Sequence, residues 1–174
     1  MEKYPWYEIV NGNEPLLQGD FISSCTLIIP PSPVKSEERV VADVIEYDVI
    51  IMSQSCDLIE KKLELVLVCP IWQINEFEKR NDFFKSRKGK EALRQGHLPG
   101  YHLLKNCEID GFRKEYLVVD FRSVYSVPFE FLVELAQKRG KRLRLLPPYR
   151  EHLSQSFARF FMRVGLPVDI PPFK

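Results

Sequence analysis

Residues 49–58, Val-Ile-Ile-Met-Ser-Gln-Ser-Cys-Asp-Leu, constrain this chain more than any other stretch. The first four are apolar and rich in β-branched side chains, which suits an interior strand covered on both faces. The run then passes directly into small polar side chains, one thiol and one carboxylate. Strand ends are where a rigid scaffold presents reactive or binding groups, so Ser53 to Asp57 is the first place to look for function.

The neighbouring segments extend this pattern. Leu16 to Ile22 approaches a Gly19-Asp20 turn, Ser24–Ile29 is strand-like, and Pro30-Pro31-Ser32-Pro33 ends that strand because proline cannot donate to a ladder. Val40–Ile45 leads toward Val49–Met52, and Leu63–Val68 closes on Cys69-Pro70-Ile71. Asp57–Lys62 between them reads as a short polar connection joining antiparallel neighbours. Further strands are expected at Tyr101–Leu104, Tyr116–Phe121 and Arg122–Val127, with an edge strand at Arg142–Leu145. Everything before Pro15 reads as an irregular lead-in.

Helices are inserted late. Residues 73–95 scatter Phe77, Phe83, Phe84 and Leu93 among charged residues without a proline, predicting one broken helix or two short ones, with Gly89 near the break and Gly96 past the end. Pro128 starts a helix to about Lys138 that Gly140 terminates. The last helix, about 149–164, follows Pro147-Pro148 and stops at Gly165 and Pro167. Its apolar face is Leu153, Phe157, Phe160, Phe161 and Val164, and Glu151, Gln155, Arg159 and Arg163 form a second stripe.

A chain of 174 residues with 45% apolar composition is expected to form a single domain over 1–174. The expected barrel core is about 16–71 and 101–127, and the helical insertion about 73–95. No apolar run reaches the ~20 residues of a membrane helix, and the N-terminus lacks a signal pattern, so a cytoplasmic protein without membrane partners is expected. Four scattered cysteines and three histidines show no metal-motif spacing, so neither a disulfide framework nor a metal or other cofactor is expected. Cys25 and Cys69, in strand-like runs, read as buried small hydrophobes. Charge is segregated: residues 1–70 carry 5 Lys/Arg against 12 Asp/Glu, and residues 71–174 carry 20 against 12. A basic half is one mark of a nucleic-acid surface, and equally of an acidic half packed beside a basic one.

Short strands, an early Gly-Asp turn and late helices describe an α+β, mainly β fold: a small antiparallel barrel with a helical insertion and a C-terminal helix. Gln18-Gly19-Asp20-Phe21, Val49-Ile50-Ile51-Met52-Ser53, Val66-Leu67-Val68-Cys69-Pro70-Ile71, and Val118-Val119-Asp120 with Val124 and Ser126 resemble the strands of the MazF/PemK family, the SH3-like barrel toxins of bacterial toxin–antitoxin systems. The resemblance covers roughly 16–71 and 116–138. It implies an SH3-like β-barrel and metal-independent cleavage of RNA, in which the neighbouring 2′-hydroxyl attacks with help from an arginine and a hydroxyl residue. Where the family has Arg-Pro before the serine-ending strand, this chain has Tyr47-Asp48. Where it has Thr or Ser after Pro-Ile, this chain has Trp72.

The leading expectation is therefore a MazF/PemK-like protein that engages RNA or DNA, as a divergent endoribonuclease or as a binder. A protein-interaction module docking an acidic, antitoxin-like partner is the alternative, a cysteine-dependent hydrolase is a distant third, and a homodimer is a further candidate assembly. Candidate catalytic residues are Cys56, Asp57 and Arg122, because the chemistry needs a proton acceptor, a donor and positive charge near phosphate. His97 or His102 is the candidate base for the thiol. Candidate nucleic-acid contacts are Gln54 and Ser55 at the strand end, Tyr101, His102, Tyr149 and Trp72 as ring donors or stackers, and Arg122, Arg150, Arg159 and Arg163 as phosphate ligands. The structural alternatives are that Ser53, Ser55 and Asp57 cap a turn and that the arginines pair with Glu151, Asp120 or Asp57.

Overall fold

Strand-forming residues alternate faces, and their burial shows where the sheet is covered. The computed structural model describes residues 4–30 and 42–162. Its strands are β1 Tyr7–Val10, β2 Phe21–Ile29, β3 Asp43–Ile51, β4 Leu65–Gln73, β5 Tyr101–Leu104, β6 Leu117–Asp120, β7 Tyr125–Pro128 and β8 Arg142–Leu145. Helices are α1 Ser55–Ile59, α2 Ile74–Arg80, α3 Arg87–Arg94, α4 Phe129–Arg139 and α5 Tyr149–Phe161, with a 3₁₀ turn at Asp82–Lys85. All ladders are antiparallel, in an α+β arrangement.

β4 organises the sheet. It pairs with β3 on one side, while on the other its first half takes β7 and its second half takes β6, giving the order β2-β3-β4-β6-β5 with β7 beside β4. This divided pairing explains the burial along β4. Cys69, Pro70 and Ile71 are enclosed on both faces, whereas Leu65 and Leu67 remain exposed on the half that β7 flanks.

On the inner face Tyr7, Phe21, Ile50, Ile71, Val119, Leu143 and Leu153 form one core, closed by the β1–β8 ribbon and α5. On the outer face Leu27, Val49, Ile51, Val66 and Val68 pack with Leu132 of α4 and Leu58 of α1. Further along that face Phe77, Phe84 and Leu93 of the helical insertion pack on Val118 of β6.

The expected barrel is not closed. A barrel requires its first and last strands to exchange ladder bonds. Here β1 and β8 form a separate two-stranded ribbon, which meets the larger sheet through the single bridge Asp20↔Arg144 and reaches the end of β5 through the Tyr7 hydroxyl, which donates to the Lys105 carbonyl at 2.5 Å. The sheet is curled but open, with β2 and β5 at its ends.

Several boundaries also differ from expectation. The lead-in contains β1, whose partner β8 lies far along the chain, so no local turn signals the pairing. β8 is an edge strand as expected, in a two-stranded ribbon with β1, but all four of its residues are buried. Asp57–Lys62 is not merely a connection, because its first residues belong to α1. Arg122 and Ser123 are a turn and not strand, since the Asp120 carboxylate accepts the Arg122 amide at 3.0 Å. In the insertion the breaks fall at Asn81 and Ser86, whose side chains accept the amides of Phe83 and Gly89. Gly89 lies inside α3, where a Cβ would stand 2.1 Å from the Phe83 carbonyl oxygen, so only glycine permits that approach. Gly96 and Gly140 follow their helices at positive φ, as expected. Val40, Arg163, Val164, Gly165 and Pro167 lie outside the described residues.

Candidate nucleic-acid interface

The polar tip of β3 is tied down by its own side chains. Ser53 Oγ accepts the Leu67 amide at 2.9 Å, and Ser55 Oγ accepts the Gln18 amide at 3.1 Å. Gln18, buried, donates its Nε2 to the Met52 carbonyl at 2.7 Å, and the Gly19 amide donates to the Ile51 carbonyl at 2.9 Å. Ser55 and Gln18 thus bind the strand end to the Gly-Asp turn, and Ser53 binds it to β4. Gln54 is exposed and reaches Ser154 Oγ of α5 at 3.3 Å. Cys56 is exposed, its Sγ 3.8 Å from Asp57 Oδ1 in the first turn of α1. Among the described residues no hydrogen bond or ion pair joins Cys56 or Asp57 to Arg122, His97 or His102.

The turn itself rests on a buried ion cluster. Asp20, fully enclosed, accepts Arg142 Nε at 2.8 Å and Arg144 Nη2 at 3.0 Å, and it also accepts the Leu17 amide at 3.1 Å. Further guanidinium hydrogens go to the carbonyls of Asn11, Glu14 and Pro15. Both guanidiniums are held by the Asp20 carboxylate and by loop carbonyls, so this group fixes β8 against the turn.

The other singled-out residues are spread over two faces. Tyr149 of α5 stacks on Trp6 with ring centroids 3.6 Å apart, and Arg150 donates to Glu151 at 2.9 Å. His102 faces inward beside Phe121, and burial, reinforced by His152, pushes its pKa down to about 4. It is therefore a neutral imidazole at pH 7. Arg159 is exposed on α5, and Arg163 lies outside the described residues. Arg122 and Tyr101 do come together: the Arg122 guanidinium lies 4.4 Å over the Tyr101 ring while donating to both Asp120 oxygens at 3.1 Å.

That pair belongs to a row the sequence reading did not assemble. Val68 and Trp72 lie two register steps either side of Pro70 on the outer face of β4, and Trp72 emerges half-buried at its end. Arg80 of α2 lies 3.6 Å over the Trp72 ring. Tyr47 of β3 meets Trp72 edge to face at 5.1 Å, and Tyr125, opposite Val68, stands 6.4 Å from Tyr47. Tyr125 is electrostatically within reach of Asp120, which ties the row to Arg122 and Tyr101. Burial raises the pKa of both Tyr101 and Tyr125, so their hydroxyls stay protonated donors at neutral pH. Trp72 is a candidate stacker from the sequence, while for Tyr47 the signal is that it stands where the family has an arginine.

The helical insertion also bounds a groove of about 450 Å³. Lys85, Arg87, Lys90 and Arg94 line it, with Glu91 as its acid and Ile74, Leu103 and Tyr116 beneath. Among the described residues no group of three or more His, Cys, Asp or Glu side chains is placed to hold a metal ion, and no helix is long and apolar enough to cross a membrane. No protein-family model matches the chain, and no curated protein matches it either.

Proposed function

We propose that this protein is an open, divergent relative of the MazF/PemK-type SH3-like barrels that binds single-stranded nucleic acid on the outer face of its sheet without cleaving it. The observation that carries this reading is the row Arg80, Trp72, Tyr47 and Tyr125, joined by ring contacts, with the Arg122–Tyr101 pair beyond it on Asp120, whose charge also bears on Tyr125. Aromatic faces accept any base by stacking, and arginines beside them answer the backbone phosphates and stack in their own right. Arg122 is already oriented by Asp120, which leaves its exposed side for a phosphate oxygen.

Cleavage is unsupported by the same geometry. Metal-independent attack by a 2′-hydroxyl needs a base and an acid flanking one phosphate. The positions the resemblance assigns to that work carry Tyr47 and Trp72, and these two rings pack on each other. Their replacement removes the arginine charge and the Thr or Ser hydroxyl of the family and leaves a stacking surface. Cys56 and Asp57, the other reactive pair, share no contact with Arg122.

The test is fluorescence polarisation of a labelled single-stranded RNA against the full chain at stepped salt. Binding should weaken linearly in a log–log plot with a slope of about −0.7 per phosphate neutralised. The labelled strand should stay intact in the presence of chelator. Absence of association at low salt would overturn the proposal, and intact-to-cut conversion lost in Arg122→Ala would overturn the non-catalytic part.

A further inference from the structure

We infer that the groove beside α3 is a second ligand site, built for a nucleoside phosphate. It shares no residue with the outer-face row and does not rest on the reading above. Its volume, about 450 Å³, falls within the ~300–1,000 Å³ range of small-molecule pockets.

The chemistry of the rim and the chemistry of the floor call for different parts of one ligand. Arg87, Lys90 and Arg94 recur at i, i+3 and i+7, so one side of α3 presents three cations to the groove, and Lys85 adds a fourth from the preceding turn. Lys85, Lys90 and Arg94 pair with Asp82, Glu78 and Glu91 at the surface. Such exposed pairs are screened by water and held weakly, so a polyanion can draw these cations away. Arg87 has no hydrogen bond or ion pair among the described residues, and its fork matches phosphate oxygens bidentately.

Beneath this rim the surface turns apolar. Leu103 and Ile74 are half-buried, and the Tyr116 ring is 48% exposed. The floor is rigid, because the Ile74 amide donates to the Tyr116 carbonyl at 2.9 Å, fixing the start of α2 against the residue before β6. A bare anion leaves that floor wet, and a plain hydrocarbon makes no use of the rim cations, Arg87 above all. A planar ring on Tyr116 joined to a phosphorylated sugar meets both. Glu91, held by Arg94 at 2.8 Å and Gln95 at 2.7 Å, is placed to accept from sugar hydroxyls.

The ligand is a free nucleotide or the phosphorylated end of a nucleic-acid strand, and the test separates them. Calorimetric titrations of the full chain would use ADP, adenosine, pyrophosphate, and one oligonucleotide with either a 5′-phosphate or a 5′-hydroxyl. ADP should bind about tenfold more tightly than adenosine or pyrophosphate, since each fragment loses one half of the site. Arg87→Ala with Lys90→Ala should weaken ADP about tenfold, while Tyr116→Ala weakens ADP but not pyrophosphate; far-UV circular dichroism checks that these surface variants fold. A preference for the 5′-phosphorylated strand that disappears in the Arg87/Lys90 variant, with no ADP binding, supports the site and names the strand end as its source. Pyrophosphate binding as tightly as ADP, or no difference among all five probes, overturns the inference.

Discussion

Tyr47 and Trp72 meet edge to face at 5.1 Å, continuing the Val49↔Pro70 register two residues outward from the last bonded pairs of β3 and β4. Edge-to-face pairing directs a ring hydrogen at a π face and leaves other ring surface open. With Arg80 over Trp72, the indole already holds a planar cation where a base can lie. A cation–π contact at an exposed site is worth only ~0.5–1 kcal/mol, so a base can displace it.

Trp72→Ala should therefore weaken single-strand binding by about thirtyfold, the middle of the ~1–3 kcal/mol that one stacked base contributes. Trp72→Phe should recover most of the loss, because stacking needs a ring and not an indole N–H. Fluorescence polarisation with a labelled oligonucleotide measures both. If Trp72→Ala binds like the parent, the row is core packing and nothing more.

Asp20 governs stability instead. Asp20→Asn leaves Arg142 and Arg144 buried with their charge unanswered, and breaking such a cluster from one side costs about 3–5 kcal/mol. The urea midpoint should fall steeply while the m-value holds. Replacing all three residues by apolar ones should not restore the midpoint, since the carbonyls of Asn11, Glu14 and Pro15 would then lose their donors.

The strands and helices with strong local patterns could be read directly from the chain. Val49–Met52, Tyr101–Leu104 and the α4 segment ended by Gly140 are set by β-branching, alternation and capping, which act within a few residues. What could not be read depends on distant partners. Tyr7–Val10 looks irregular until Arg142–Leu145 pairs with it, and those arginines look like an exposed edge until Asp20 accepts them. The same limit hides the outer-face row. Arg80, Trp72, Tyr47 and Tyr125 come from α2, β4, β3 and β7, and only the sheet order brings them together. Of the residues picked out beforehand, Arg122 and Tyr101 meet, while Cys56 and Asp57 sit at another strand end.

His102 makes stability depend on pH. Its pKa is pushed from 6.5 to about 4 by burial first and by His152 second. At pH 7 the ring is neutral whether the chain is folded or not, and the shift contributes nothing. As pH falls below 6.5 the unfolded chain takes up the proton while the folded one resists, so stability drops down to about pH 4. A shift of this size corresponds to a loss of about 3 kcal/mol. His102→Gln should flatten the slope of urea-derived stability between pH 6.5 and 4. An unchanged slope in that variant would assign the acid sensitivity to other groups.

The four cysteines offer a chemical check on the layering of the fold. Cys25, Cys69 and Cys107 are enclosed, and Cys56 alone is exposed. Burial pushes Cys25 up to about 11, and burial together with Asp120 pushes Cys69 up to about 12, so neither supplies thiolate at pH 8. A disulfide reagent such as DTNB should therefore titrate one thiol in the native protein and four in urea. Mass spectrometry after alkylation should place the native adduct on Cys56. Cys56 Sγ reaches Asp57 and, among the described residues, has no hydrogen bond to the outer-face row, so Cys56→Ser should abolish that adduct and leave nucleic-acid binding as it was. Loss of binding in Cys56→Ser would move the site from the outer face of the sheet to the polar end of β3, and the stacking row would lose its role.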